Sequence, residues 1–387
     1  MRTRRPKPRW PSLVLAVALA AGLTACGSSG DSSDKKGSPG PSTAPVAGTQ
    51  PPYVPAGPTA AKVAEPIVAG EIARDLNTPW GVALLPDKDA LVSSRDTGTI
   101  TRLGPGTVTP VVVGTVPGSV HRGEGGLLGI AVSPTFASDH FLYAYLTTEQ
   151  DNRIVRMTYL PEQPLGPPEV LLAGIPAGSN HNGGRIAFGP DGMLYAGTGE
   201  AGQKPLAQDR NSLGGKILRL TPEGHPAPGN PFPNSPVWSL GHRNVQGLAW
   251  DSTGRLWASE FGQDTWDELN LIRSGADYGW PAVEGTSDNP AYVNPVAQWA
   301  TDDASPSGIA IVGDVVYLAG LKGERLWEAP IVGSTVTEPK AYFQGRYGRL
   351  RTVVAVGAGE LWLVTSMTDG RGTPRKGDDR ILRLVSG

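Results

Sequence analysis

Between residues 81 and 363 one pattern recurs six times: an apolar run, a tight turn, and a second run of apolar and aromatic residues. Gly or Asp in each turn supplies the positive φ that a hairpin turn needs. β-branched and aromatic residues favour strands on either side, so each copy predicts two short strands joined by a hairpin. The copies occupy residues 81–92, 129–145, 186–196, 247–257, 308–317 and 353–363.

A third strand is predicted after each hairpin, because a short segment of alternating apolar and polar residues follows every copy. These segments are Ile100–Leu103, Ile154–Met157, Ile217–Leu220, Leu269–Ile272, Arg325–Glu328 and Ile381–Leu384. The hairpin turns lie about 44 to 62 residues apart, near the length of a four-stranded blade. We therefore predict an all-β fold, a six-bladed β-propeller of four-stranded antiparallel blades. A β-sandwich or barrel is the alternative, but neither would require six copies.

Residues 1–25 are predicted to be a lipoprotein signal peptide. Basic residues near the start precede an apolar stretch over residues 13–23, which is too short to remain as a membrane span. The segment 23–26, Leu-Thr-Ala-Cys, resembles the lipobox of bacterial lipoproteins, in which cleavage precedes the cysteine and lipid is attached to it. We expect an extracytoplasmic protein that is lipid-anchored through Cys26 to the outer face of the bacterial cell membrane. An ordinary signal peptide with a nearby cysteine is the alternative.

Residues 26–61 are predicted to be a flexible tether, because Gly, Ser, Pro, Thr and Ala dominate and large apolar residues are almost absent. The propeller is then expected over residues 62–387. Cys26 is the only cysteine of the 387-residue chain, so packing without a disulfide must hold the fold. The formal net charge is −2 and no basic stripe interleaves with aromatic residues, which argues against a nucleic-acid partner.

Polar, glycine-rich inserts between the predicted strands are where a propeller carries its function. His181, just before the third hairpin, could take a proton from an alcohol near neutral pH, but a structural histidine is the alternative. Arg243, in the equivalent place before the fourth hairpin, offers donors for a carboxylate or an oxyanion. Lys322, Arg349 and Arg351 lie in later loops. They would need an anionic ligand if they converged, and otherwise each is a solvated surface charge.

An acidic, turn-rich insert covers residues 260–268 and 277–281. Carboxylates and loop carbonyls of this kind suit Ca²⁺, but the spacing is not that of a helix–loop–helix site, so the residues alone leave calcium binding open. The glycine-rich stretches 123–126 and 197–202 follow neither the phosphate-loop nor the dinucleotide spacing. We predict that both are turns.

Taken in order, these motifs resemble the soluble glucose/sorbosone dehydrogenases that depend on pyrroloquinoline quinone (PQQ), and in particular their aldose sugar dehydrogenase branch. The matching segments are Leu76–Trp80, Gly125–Gly129, His181–Arg185, Asn211–Leu220, Gly241–Asn244, Asp267–Asn270, Tyr278–Pro281 and Ser305–Gly308. The resemblance implies a quinoprotein oxidoreductase that converts an aldose to its lactone by base-assisted hydride transfer from C1 to the quinone. It also implies PQQ and Ca²⁺ as cofactors, and a soluble or membrane electron acceptor.

Individual residues take their expected roles from the same resemblance. His181 matches the catalytic base, and Arg243 matches the residue that stabilises charge on the quinone C5 oxygen. Contacts with the cofactor are implied for Glu124, Arg243, Asn244, Lys322, Arg349 and Arg351. Ligands of the cofactor's Ca²⁺ are implied at the backbone carbonyls of Gly262 and Gln263. A second, structural calcium site is implied at Glu268 and the Tyr278 carbonyl.

Three positions depart from the family's pattern. Glu124 replaces a glutamine and Asp303 a small hydroxyl residue. Each would add a carboxylate near a site meant for a tricarboxylate and weaken cofactor affinity unless it is protonated or paired. Asn180 stands where an aspartate can orient the base, so His181 is expected to be less strongly activated. Two alternatives therefore stay open. One is a non-catalytic, calcium-stabilised propeller that binds carbohydrate or a protein, and the other is a metal-dependent sugar lactonase, which the cation-rich loops fit poorly.

Overall fold

The six predicted repeats form six antiparallel sheets in the computed structural model, which describes residues 65–104, 110–357 and 359–387. The innermost strand of each sheet packs against the innermost strands of both neighbours, and the last returns to the first, so the sheets close a ring. The predicted six-bladed β-propeller is confirmed. The signal peptide, Cys26, the tether 26–61 and the boundary at residue 62 lie outside the described residues and stay predictions.

The strands of each blade follow one another in the chain, innermost first, apart from one strand of the sixth blade. Among the described residues β1 (Pro66–Ala73) comes first, and the first blade then holds β2 (Pro79–Leu84), β3 (Ala90–Ser94), β4 (Thr99–Leu103) and β5 (Val111–Thr115). The second blade holds β6 (Leu127–Val132), β7 (Phe141–Thr147), β8 (Asn152–Thr158) and β9 (Glu169–Ile175). The third blade holds β10 (Ile186–Phe188), β11 (Leu194–Gly197), β12 (Ile217–Leu220) and β13 (Val237–Ser239).

The other three blades repeat this order with small variations. The fourth blade holds β14 (Val245–Trp250), β15 (Leu256–Glu260), β16 (Trp266–Leu271) and β17 (Ala297–Ala300). The fifth holds β18 (Pro306–Val312), β19 (Val315–Gly320), β20 (Leu326–Val332), β21 (Thr335–Val336) and β22 (Lys340–Tyr342), the last two both pairing with β20. The sixth holds β23 (Leu350–Gly357), β24 (Glu360–Thr365) and β25 (Ile381–Ser386).

The sixth blade takes its outermost strand from the other end of the described chain. β1 pairs antiparallel with β25, from Pro66 opposite Ser386 to Ala73 opposite Ile381. The sequence pattern did not predict this strand. Its pairing covers the edge that β25 would otherwise leave open, and it joins the two ends of the described chain in one sheet.

The apolar core lies between neighbouring blades as well as within them. One buried cluster joins Leu91 and Ile100 of the first blade to Leu142 and Met157 of the second. Another joins fifth-blade residues such as Tyr317 to sixth-blade residues such as Leu363 and Leu384. Packing between the blades thus fixes the loops of different blades relative to one another.

Glycines in the innermost strands allow neighbouring blades to approach closely. A Cβ at Gly129 would lie 2.3 Å from the carbonyl oxygen of Gly184, and one at Gly247 would lie 2.5 Å from that of Ser307. Both contacts are with the next blade, so a side chain at either glycine would push neighbouring blades apart. These glycines also keep the centre of the ring narrow.

Helical structure in the described ranges is confined to two short segments, α1 (Phe136–Asp139) and a 3₁₀ helix at Lys204–Ala207. Neither approaches the length and apolar character that a membrane-spanning helix would need. The sequence likewise predicts no long helix in the propeller. The loops between strands therefore carry nearly all the structure that is not sheet.

Candidate active site

A cavity of about 750 Å³ opens at one end of the ring. Because the strands of a blade are antiparallel, two kinds of loop meet at this end: those that lead into the innermost strand and those that join the second strand to the third. His181, Arg243 and Arg349 come from the first kind, and Gly262 and Lys322 from the second. Residues far apart in the chain therefore face one space.

Most of the site residues expected from the sequence line this cavity. Those that do are Glu124, His181, Arg243, Asn244, Gly262, Gln263, Lys322, Arg349 and Arg351. Glu268 and Tyr278 do not line it and lie beneath its wall, where both are buried. The cations thus converge, as a single anionic ligand would require, while the role of each residue remains a prediction.

His181 is held in a defined orientation by two glutamates. Its Nδ1 lies 2.9 Å from Oε1 of Glu200, a side chain only 1% exposed. Its backbone N–H donates to Oε2 of Glu124 at 3.0 Å. These contacts support a left-handed backbone conformation at His181, with φ of 52°, which is rare for a residue other than glycine.

The histidine has one ring nitrogen available to the cavity. Because Nδ1 faces the buried Glu200 carboxylate, an Nδ1–H donates there and Nε2 is left as the proton acceptor. The neighbour of Nε2 is the side-chain amide of Asn180, at 3.4 Å. This arrangement can accept a proton from a bound hydroxyl.

Glu200 is a site residue that the motifs did not predict. It lies in the glycine-rich stretch 197–202, and its second carboxylate oxygen accepts the N–H of Gly202, which confirms the predicted turn. His181 has an orienting carboxylate although Asn180 replaces an aspartate, because Glu200 supplies one from another loop. The expectation that His181 is less strongly activated stays a prediction. A signal was present in the sequence: Glu260 follows His242 by nearly the same number of residues in the next blade.

A cluster of arginines forms the wall opposite His181. Arg349 and Arg351 both contact Oδ2 of Asp369, at 3.0 and 3.3 Å. Burial lowers the pKa of Arg351 to about 10, because the charged form is poorly solvated there. Burial alone would raise the pKa of Asp369, but the charges of both arginines outweigh it and hold that pKa below its ordinary value.

Two buried guanidinium nitrogens have no partner within the described residues. They are Nε of Arg351 and Nε of Arg243. Burial also lowers the pKa of Arg243, against the opposing charges of Glu200 and Glu284. An unpaired buried donor is costly, so these nitrogens indicate an acceptor that binds in the cavity.

Two further cations line the cavity and were not among the expected site residues. Arg95 is buried and donates to the backbone carbonyl of Asp369 at 3.2 Å. Arg371 lies at the rim, where its guanidinium pairs with Oε1 of Glu124 at 2.6 Å. They were missed because their contacts with the site span 274 and 247 residues of sequence.

The two carboxylates that depart from the family's pattern both have cationic partners. Glu124 is neutralised by Arg371. Asp303 is turned to Arg325, at 3.2 Å, and is not among the cavity-lining residues. Both carboxylates are thus paired, which is the condition under which neither is expected to weaken cofactor affinity. The exposed Lys322 contacts Asp302 at the rim.

The wall that carries Gly262 and Gln263 is anchored by a buried aspartate. Asp267 accepts the N–H of Gly262 at 2.9 Å and the N–H of Ser305. Burial raises the pKa of Asp267 to about 7, although both N–H donors oppose the shift. The loop of Gly262 is thus tied to the fifth blade as well as to its own strand.

The expected second calcium site lies behind this wall. Asn270 donates to Oε1 of Glu260 and to Oε2 of Glu268, and burial raises the pKa of Glu268, with the charge of Glu260 adding to the shift. Oδ1 of Asn270 is buried and has no partner in the part of the chain that the structure describes, so oxygen ligands are concentrated here. The Tyr278 hydroxyl donates to the carbonyl of Leu271, which leaves its side chain outside the ligand set. No group of three or more His, Cys, Asp or Glu side chains is arranged for a metal in the described ranges, so backbone and amide oxygens would have to contribute.

A ring of six blades with a cation-rich cavity and one oriented histidine defines a class of propeller enzymes that hold an anionic cofactor. Comparison with known proteins agrees: the family model for glucose/sorbosone dehydrogenase matches residues 76–382, and the chain belongs to that family.

Three relatives illustrate the similarity. The PQQ-bound form of aldose sugar dehydrogenase from Streptomyces coelicolor is 60% identical, with a TM-score of 0.82 over 83% of this chain and 98% of that one. Quinoprotein glucose dehydrogenase B from Acinetobacter calcoaceticus is 32% identical over 63% of this chain and 59% of its own length. Aldose sugar dehydrogenase YliI from Escherichia coli is 28% identical over 78% of this chain and 90% of its own.

Proposed function

We propose that this protein is a PQQ- and Ca²⁺-dependent sugar dehydrogenase that oxidises an aldose at C1 to the lactone. The observation that carries the proposal is the presence, in one cavity, of an oriented histidine and a set of cations, of which Arg243 and Arg351 each have a buried Nε without an acceptor among the described residues. The PQQ-bound relative from Streptomyces coelicolor, similar over nearly its whole length, supports the same cofactor here.

The residues of the cavity fit a tricarboxylate quinone. Arg349, Arg351 and Lys322 would neutralise its carboxylates, and the free Nε of Arg351 is a donor ready for one of them. Arg243 would donate to a carbonyl oxygen on which negative charge grows. When bound, PQQ would supply the o-quinone that accepts two electrons from the sugar.

His181 would remove the proton of the C1 hydroxyl. Its Nε2 is the acceptor, with only the long contact to the Asn180 amide to displace, and the buried Glu200 carboxylate would stabilise the positive charge that the ring acquires. Two protons and two electrons leave the cyclic aldose in this step, and a carbonyl forms at C1. The product is the lactone.

Calcium would bind at two places. The carbonyls of Gly262 and Gln263 lie in the cavity wall and are proposed to hold the ion that accompanies the cofactor. Glu268 and the Tyr278 carbonyl are proposed ligands of a structural ion, for which the unpartnered Oδ1 of Asn270 is a further oxygen. A soluble or membrane-bound acceptor would then reoxidise the cofactor.

Reconstitution tests the proposal. The purified protein is incubated with PQQ and Ca²⁺, and dye reduction is followed over a panel of aldoses, with chromatography of the lactone. We expect a shifted absorbance of the bound quinone and dye reduction with at least one aldose. If neither the absorbance nor the dye changes, the enzyme assignment fails and a non-catalytic propeller takes its place. The pairing of Glu124 with Arg371 removes one argument for that alternative.

A further inference from the structure

Within the loop over residues 261–266, four backbone N–H groups are held by one carboxylate, that of Glu284. Oε1 of Glu284 accepts four consecutive backbone N–H groups, those of Gln263, Asp264, Thr265 and Trp266, at 2.7, 3.0, 2.8 and 3.0 Å. We propose that Glu284 is a positioning residue that turns the carbonyls of Gly262 and Gln263 towards the Ca²⁺ of the cofactor site. This inference rests on the proposed function.

Peptide geometry connects the carboxylate to the carbonyls. In a trans peptide the N–H and the C=O of the same unit point in opposite directions. The N–H of Gln263 shares its peptide with the carbonyl of Gly262, and the N–H of Asp264 shares its peptide with the carbonyl of Gln263. Because both N–H groups point at Glu284, both carbonyls point away from it.

The direction away from Glu284 is that of the cavity wall. Gly262 and Gln263 line the cavity, whereas Glu284 is not among its lining residues. The loop therefore separates a fixed anion on one side from carbonyl oxygens on the other. A hard cation on the cavity side would meet the oxygen ends of peptides whose hydrogen ends are already bound, and such hydrogen bonds polarise the carbonyls further.

The local sequence suits this arrangement. The N–H of Gly262 donates to Asp267, so every backbone N–H from 262 to 266 is taken by a carboxylate. A Cβ at Gly262 would lie 1.9 Å from the carbonyl oxygen of Trp266 and 2.6 Å from Oε1 of Glu284. Only glycine allows the loop to fold this tightly around the carboxylate.

Two substitutions test the role, with a matched control. Glu284→Gln removes the charge and keeps one acceptor oxygen, whereas Glu284→Ala removes the charge and both oxygens. The matched control is Asp288→Asn. Asp288 is exposed and lies in the same loop between β16 and β17 as Glu284, and its substitution also removes one negative charge. Calcium binding is measured by isothermal titration of the full chain with and without PQQ, alongside the Ca²⁺ concentration that half-saturates the absorbance of bound quinone.

We expect the Ca²⁺ requirement for quinone binding to rise about 10- to 100-fold in Glu284→Gln and further in Glu284→Ala, as is found when partners that orient metal ligands are removed. Asp288→Asn should match wild type. A purely structural role would lower the melting temperature without changing the Ca²⁺ requirement. Glu268→Gln is the control for the second calcium site. It should change calcium-dependent melting while leaving the quinone titration nearly unchanged.

Amide hydrogen exchange tests the loop without cofactor or metal. The amides of residues 263–266 should be protected in wild type and Asp288→Asn, and should exchange at least tenfold faster in Glu284→Ala. Protection retained in Glu284→Ala, or a wild-type Ca²⁺ requirement in both Glu284 variants, would overturn the inference. If wild type itself binds no quinone, the proposed function fails, and this role fails with it. If wild type binds quinone and the variants equal it, only this role fails.

Discussion

Two histidine–glutamate pairs occupy equivalent places in the third and fourth blades. In each, a histidine precedes the innermost strand and a glutamate lies at or just after the end of the second strand: His181 with Glu200, and His242 with Glu260. Nδ1 of each histidine meets Oε1 of its glutamate, at 2.9 and 2.7 Å. The other oxygen of each glutamate accepts a backbone N–H.

The pairs differ in what surrounds the second ring nitrogen. Nε2 of His242 is bonded to Oγ of Ser239 at 2.8 Å, and the ring is fully buried and stacked on Tyr278. His181 lines the cavity, with its side chain 14% exposed. A carboxylate therefore orients both histidines, but only the one whose second nitrogen lacks a strong internal partner can exchange a proton with a ligand.

The largest effect should come from His181→Ala. Removing the base should lower kcat/KM for the aldose about 10²- to 10⁴-fold, the usual contribution of general base catalysis. Quinone binding should stay close to wild type, whereas the melting temperature should fall somewhat, because the buried Glu200 carboxylate loses its histidine partner. Dye-linked kinetics and quinone absorbance measure both quantities. A variant that keeps wild-type turnover would remove the base assignment and, with it, the contrast between the pairs.

His242→Ala should act on stability instead. The substitution removes the His242 bond to the buried Glu260 carboxylate, which keeps its bonds to Asn270 and to the N–H of Arg243, and it leaves the Ser239 hydroxyl without its histidine partner. Together these losses should lower the free energy of unfolding by about 3 kcal/mol. Urea unfolding followed by tryptophan fluorescence measures this loss. Turnover per folded molecule should fall far less than in His181→Ala. An equal loss of turnover would mean that the buried pair also serves the reaction.

Glu200→Gln should have the smallest effect of the three. It keeps the shape of the partner but exchanges a charged hydrogen bond for a neutral one, a loss of about 1 kcal/mol, so kcat should fall roughly 5- to 10-fold. Glu260→Gln is the matched control in the fourth blade and should change unfolding rather than kcat. Steady-state kinetics of both variants at saturating PQQ and Ca²⁺ decide the matter. Identical kinetics for the two would contradict the comparison.

The fold could be predicted from the sequence because its signals are local. Each hairpin carries its own turn and its own alternation of apolar residues, so six copies are visible without knowledge of their contacts. β1 could not be predicted in this way, for the opposite reason. Its partner β25 lies over 300 residues away, and its half-exposed strand is not part of the repeated pattern.

The site was predictable only where a motif marked it. His181, Arg243 and the cations at 322, 349 and 351 were expected and meet in one cavity. Glu200 and Glu284 were not, because each acts on another loop of its own blade, 19 and 21 residues away, through a contact that no motif marks. The pairing of Asp303 could not be predicted either, since only the three-dimensional structure shows that its carboxylate meets Arg325.

The pairing of Pro66 with Ser386 has a practical consequence for attaching this protein to an electrode or to a reporter domain. β1 is the outermost strand of the sixth blade, three strand spacings or about 14 Å from β23 at the centre of the ring. A reporter domain or an electrode linker fused after Ser386 would leave from the outer edge of the sixth blade and would not cross the mouth of the cavity. The same proximity of the described ends favours a circular permutant, in which a short bridge joins them and new ends open in an outer loop of another blade.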